Sequence, residues 1–149
     1  MSTPALLEEA AAVLAAQPFS DLVGARITEF GNGIATLELD IDGRLRQQFG
    51  LVHGGVLAYL VDNAIAFAAG SVLGASLVST GYAVNLLGNA RSGTLRAQGT
   101  VTHSDRGRAV CSVRVVAVAS DGTTTTCAIA QGEAMSTRPA RPTSPTVAS

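Results

Sequence analysis

The sequence predicts an α+β domain in which an antiparallel β-sheet wraps around one long, apolar central helix. Three observations carry that expectation. Between Val56 and Leu73 the only strongly polar side chains are Asp62, Asn63 and Ser71, so this helix is hydrophobic on nearly every face and should be buried all round. Four β-rich runs follow it, LVSTGYAVNLL, GTLRAQGTVTHS, RAVCSVRVVAVA and TTTTCAIAQGEAM, separated by turn chemistry such as Ser120-Asp121-Gly122. The 149 residues are 47% hydrophobic and 14% charged, which supplies a core and is too little charge for a disordered chain.

The elements follow in order. Thr3 and Pro4 precede a run of alanine and leucine reaching about Ala16, which predicts a short N-terminal amphipathic helix with proline at its first position. After Pro18 the pattern changes. Ala25 to Phe30 and Ile34 to Ile41 partly alternate around Gly31-Asn32-Gly33, which predicts two strands joined by a hairpin. Residues 42–52, DGRLRQQFGLV, form a polar connection into His53-Gly54-Gly55 and the long helix. No further helix is expected. One domain is assigned to residues 1–137, and the proline-, serine- and threonine-rich residues 138–149 to a disordered tail.

The long helix could also be read as a membrane span, but Asp62 near its middle would cost about 2.5–3.5 kcal/mol on insertion scales, and the strand-like flanks favour a soluble core helix. Ten arginines, no lysine and eleven acids leave a net charge of −1; without a basic cluster, nucleic-acid binding is not expected. Cys111 and Cys127 read as reduced, mostly buried thiols, and His53 and His103 lack metal-ligand spacing, so neither metal nor cofactor is expected. The first residues have no basic segment and carry Glu8 and Glu9; a cytoplasmic location is the expectation.

Asp62 is the residue whose surroundings demand an explanation. A carboxylate in the most apolar element must find donors or stay protonated, which makes it a candidate catalytic group or an acid held for structure alone. Gly54 and Gly55 stand at the helix start, where N–H groups lack intrahelical acceptors; they offer an oxyanion site or simply permit a tight turn. Eight residues separate Gly54 from Asp62, about 12 Å along a helix axis. One helix cannot bring both to one carbonyl, nor can His53 and Asp62 belong to one Ser-His-Asp triad. A functional site using both groups straddles two copies of the chain. A single sheet also covers only one side of an apolar helix, so a homodimer or homotetramer is expected.

The pattern Gln47-x5-His53-Gly54-Gly55-x6-Asp62 resembles the hotdog-fold acyl-CoA thioesterases, in the phenylacetate-degradation and 4-hydroxybenzoyl-CoA branch. The resemblance covers about residues 19–137. It implies a hotdog fold and hydrolysis of a small-molecule acyl-CoA thioester, with Asp62 as nucleophile or general base and the Gly54 amide polarising the carbonyl oxygen. It further implies that Gln47 orients the reacting groups, that His53 fixes the helix start and its surroundings, and that Ser79 holds the attacking water. Arg106 and Arg108, in Asp105-Arg106-Gly107-Arg108, resemble a basic turn near the CoA nucleotide. The sequence departs from the family at Leu86-Leu87-Gly88-Asn89-Ala90, where an aromatic, arginine and proline are common. A non-catalytic acyl-CoA-binding dimer and a hotdog hydratase or dehydratase are the alternatives.

Overall fold

The computed structural model describes residues 3–139. Two short helices, α1 (Pro4–Ala15) and α2 (Pro18–Val23), precede strands β1 (Arg26–Gly31) and β2 (Ile34–Asp40). A 3-10 turn at Gly43–Leu45 leads to the central helix α3 (Gly54–Leu73), and strands β3 (Leu77–Leu86), β4 (Thr94–Ser104), β5 (Arg108–Val118) and β6 (Thr124–Ser136) complete the chain. The β1–β2 hairpin turns on Asn32 (φ 52°) and Gly33 (φ 78°), the pair of left-handed conformations that a two-residue turn needs. All pairings are antiparallel, in the order β1-β2-β4-β5-β6-β3, so β1 and β3 form the two edges. This is the hotdog arrangement that the residue pattern implied.

Two expectations require correction. The helix α2 adds to the expected elements, although Pro18 at its first position and the left-handed Gly24 (φ 74°) at its end bracket it as helix-start and helix-stop residues do. Nor is α3 buried all round within its own chain. Leu57, Leu60, Val61, Ala64, Ile65 and Ala68 pack against the sheet, whereas Ala58, Tyr59, Asp62 and Ala66 are only half-buried. The reason is geometric: one sheet can cover one side of a helix. By composition α3 is long and apolar enough to cross a membrane, yet half of it is buried in the fold.

The sheet approaches α3 most closely at Gly99 of β4. A Cβ there would lie 2.5 Å from the Ala64 carbonyl oxygen, so only glycine permits this contact. The inner face of the sheet carries Leu37, Leu39, Leu95, Cys111 and Val115, all fully buried. Cys111 and Cys127 are free and buried; burial pushes the Cys111 thiol up to about 11, which keeps it protonated and unreactive near neutral pH. The Thr137 N–H still bonds to Ser76, whereas residues 140–149, most of the expected tail, lie outside the described residues.

Candidate active site

The site begins with the helix start. His53 is the N-cap of α3, and its Nδ1 accepts a hydrogen bond from the Gly55 N–H at 2.9 Å. That bond takes one of the unpaired amides at the helix N-terminus. The Gly54 N–H finds no acceptor among the described residues. The glycine pair is therefore divided: one amide anchors the cap, and the other stays available at the positive end of the helix dipole. Gly54 also lies against β3, where a Cβ would sit 3.1 Å from Leu86 Cδ1.

Gln47 belongs to the same end of the molecule. Its loop is clamped to the helix start by the bridge between Arg46 and Val52 and by the His53 N–H donating to the Leu45 carbonyl at 2.8 Å. The Gln47 side-chain oxygen accepts from the Phe49 N–H, which leaves its amide NH2 group to donate elsewhere. Gln47, His53 and Gly54 thus form one group built by a single chain.

Asp62 and Ser79 stand apart from that group. Asp62 is half-buried on the open side of α3, and no hydrogen bond reaches its carboxylate among the described residues. It is not sequestered within its own chain; the face it occupies is the one the sheet leaves uncovered. Its charge is felt by Tyr59 one turn earlier, where burial first, and then Asp62, push the phenol above its ordinary value while a bond with Ser20 pulls it down. Ser79 pairs with the buried Ala134 and so stands on the helix-facing side of the sheet. Thr80, beside it, bonds to Glu133 on the outer side.

Neither meets that group within one chain. β3 runs antiparallel to α3: Leu77 packs at Gly70 near one end of the helix, and Leu86 at Gly54 at the other. Seven residues separate Ser79 from Leu86, about 23 Å of strand, so Ser79 lies beyond Asp62 toward the C-terminal end of the helix and away from Gly54. Arg106 and Arg108 sit at the same far end, because the Gly107 carbonyl accepts from the Ser136 N–H and Ser136 pairs with Leu77. Arg108 faces Glu133 at 3.8 Å, whereas Arg106 has no acid partner among the described residues.

A cavity of about 410 Å³ adjoins His53 and Gly55, walled by Phe19, Leu22, Val23, Leu45, Val56 and Tyr59, with Arg44 and Arg46 also lining it. The sequence reading missed it because three of these residues come from α2. The Tyr59 hydroxyl donates to Ser20 Oγ at 2.6 Å, and Ser20 in turn donates to Gln17 at 2.7 Å. Among the described residues, no three His, Cys, Asp or Glu side chains gather as a metal site.

Several solved structures share this fold. A thioesterase family protein from Silicibacter pomeroyi is 26% identical with a TM-score of 0.78, over 83% of this chain and 92% of its own. A mutant thioesterase from Pseudomonas aeruginosa, carrying a glutamine-to-alanine change, is 26% identical with a TM-score of 0.75, over 87% of this chain and 91% of its own. The PaaI protein of the phenylacetic acid degradation operon of Escherichia coli, 21% identical, has a TM-score of 0.75 over 87% of this chain and 91% of its own, a likeness of fold. No curated protein matches the sequence. The family model described as the thioesterase superfamily matches residues 49–124, just over half of the chain and the whole of α3, and on that match this chain belongs to the thioesterase superfamily.

Proposed function

We propose that the protein hydrolyses acyl-CoA thioesters to a free acid and CoA, at a site shared by two copies of the chain. Thioesterase relatives support the reaction class, and the pattern from Gln47 to Asp62 supports the phenylacetate-degradation and 4-hydroxybenzoyl-CoA branch. The observation that carries the reading is the division of α3: among the described residues, an unpaired Gly54 amide at its start and a carboxylate without donors at its middle, on a half-buried face.

In this reading the Gly54 N–H donates to the thioester carbonyl oxygen and stabilises the charge that develops there. The partner subunit's Asp62 faces the carbonyl carbon, either attacking it or taking a proton from the attacking water. A new C–O bond forms, the C–S bond breaks, and CoA leaves as a thiolate that then takes up a proton; an acyl-Asp62 intermediate, if Asp62 attacks, is released by water. Ser79 holds that water, and Gln47 turns its free amide toward the reacting groups. His53 holds the helix start in shape. Arg106, the less engaged of the two hairpin arginines, serves the CoA phosphates ahead of Arg108.

The partner's docking face is supported by the edge strand. Tyr82 and Leu86 of β3 share the helix-facing side with Ser79, yet they are 41% and 56% exposed. Together with the open side of α3 they form an apolar surface suited to an identical copy. Residues 1–137 read as one domain, and a cytoplasmic location fits the chemistry. Thiol release from aryl- and fatty acyl-CoA substrates tests the function. Asp62→Asn should lose at least ~10²-fold in turnover. Unchanged turnover in that variant rejects the role of Asp62, and no release from any thioester by the native protein favours a binding protein instead.

A further inference from the structure

The cavity beside His53 carries an inference about the substrate. Its body is apolar, with the rings of Phe19 and Tyr59 packed 5.3 Å apart. Its volume of about 410 Å³ lies near the lower end for small-ligand sites, suited to an acyl group rather than to an entire CoA. It touches Gly55 and His53, the immediate neighbours of the Gly54 amide. A thioester carbonyl seated on that amide can turn its acyl chain into this space.

The cavity's polar groups are unevenly spent. Tyr59 is committed to Ser20, and His53 Nδ1 to the Gly55 N–H. Arg44 is held by Asp42 at 3.0 Å, and a second Asp42 oxygen accepts from the Arg44 backbone N–H at 2.8 Å. Arg46 donates its Nε–H to the Arg91 carbonyl at 2.8 Å but reaches no carboxylate among the described residues. Its terminal N–H groups remain to be used. Arg44 and Arg46 both line the cavity, and among the described residues Asp42 pairs with Arg44 alone, so two guanidinium groups stand at this rim with one acid.

We infer that this cavity holds the acyl group of the substrate and selects one whose far end carries a carboxylate, with Arg46 as the group that reads it. The inference rests on the thioesterase reading for the placement of the carbonyl at Gly54. A methyl-ended chain fills the apolar walls equally well but leaves the Arg46 N–H groups with water alone; a carboxylate-ended chain gives them a charged acceptor.

The test uses non-hydrolysable thioether analogues of CoA bearing six-carbon acyl chains, one ending in a methyl and one in a carboxylate, with free CoA as reference. Each is titrated into the full-length protein by calorimetry. The carboxylate analogue should bind about tenfold more tightly, the scale of one charge-assisted hydrogen bond net of water. Arg46→Gln should erase that difference and Arg46→Lys keep part of it. Leu22→Trp, at the cavity mouth, should weaken both acyl analogues relative to free CoA. Equal affinities in the native protein, a preference that survives Arg46→Gln, or acyl affinities unmoved by Leu22→Trp would each overturn the inference. So would an Arg46→Gln protein that loses affinity for free CoA by the same factor, because Arg46 would then read the CoA phosphates. Hydrolysis of the matching true thioesters separates the two claims: discrimination in binding without turnover removes the proposed function and leaves the acyl cavity standing, and turnover without discrimination does the reverse.

Discussion

The start of α3 and its middle are built on opposite terms. At the start, one chain supplies the cap from His53, the clamp from Leu45 and Arg46, and a cavity walled on one side by α2. At the middle, the half-buried Asp62 has no donor among the described residues, and Tyr82 and Leu86 on the adjoining strand stand exposed. The contrast teaches where a second chain is needed. In the proposed reading, a finished half and an open half, about 12 Å apart on one helix axis, become a complete site when a two-fold axis sets each against the other.

Removing the Gly54 N–H tests the finished half most directly. Gly54 is the first residue of α3, a position where proline suits the helix and loses only an amide that the helix does not use. Gly54→Pro should keep the fold and lower kcat by about 10²–10³-fold, as loss of an oxyanion donor does. Gly54→Ala keeps the amide and only presses on Leu86, so it should retain most of the activity. Mixing refolded Gly54→Pro and Asp62→Asn chains should restore roughly a quarter of native activity, because half of the dimers are mixed and each has one intact site of two. No recovery on mixing would place both groups in one chain's site and erase the contrast.

The open half is tested by its apolar cover. Tyr82→Lys puts a charge on the helix-facing side of the edge strand while leaving the β3–β6 pairing in place. It should weaken self-association by about thirtyfold, the scale of a buried aromatic contact at an interface, read by sedimentation across a dilution series. Activity should fall with the dimer and return at high protein concentration. A variant that stays associated would move the partner's docking face away from β3.

Much of this was legible in the sequence, for identifiable reasons. The apolar run after His53 fixed α3 to within two residues of its start, and Asn32-Gly33 located the hairpin because only left-handed backbone closes it. The separation of Gly54 from Asp62 required nothing beyond the helical rise. What escaped was tertiary. The six residues of α2 are too few for a helical period to show, leaving Pro18 and Gly24 as the only signal, and without α2 the cavity at Phe19 and Tyr59 has no wall. The division of labour between Gly54 and Gly55 was equally hidden, because it depends on the rotamer by which His53 reaches the second amide. Burial of Asp62 was expected from hydrophobicity alone, which cannot say whether the cover comes from the same chain.

His53 offers a smaller effect that sharpens the first half. His53→Ala leaves the Gly55 N–H without its acceptor and should cost about 1 kcal/mol, a fall in Tm of about 2–4 °C for a domain of this size. His53→Asn, whose side chain is itself a good cap, should recover most of that loss. Stability that does not change in the alanine variant would mean that the cap is idle and that the helix start is held by the Leu45 contact alone.

The smallest effect is expected on the outer face of the sheet, remote from both halves. There Arg26 bonds Glu38 and Asp40, each at 3.2 Å, and Arg96 bonds Glu38 at 2.6 Å. Arg26, and next Thr94, hold the Asp40 carboxyl below its ordinary value. A depressed carboxyl contributes stability above its unfolded pKa of about 3.9 and loses it as pH falls through the folded value, so the contribution is full at neutral pH and fades in acid. Because Asp40 is 70% exposed, solvent screens most of it. Arg26→Gln should therefore cost about 0.2–1 kcal/mol, less at high salt, and flatten that part of the acid limb, with thioester turnover unmoved. A loss of turnover at unchanged Tm would show that strain on the outer sheet reaches α3 through β2 and β4, and the two halves of the helix would no longer be the only places where the site is made.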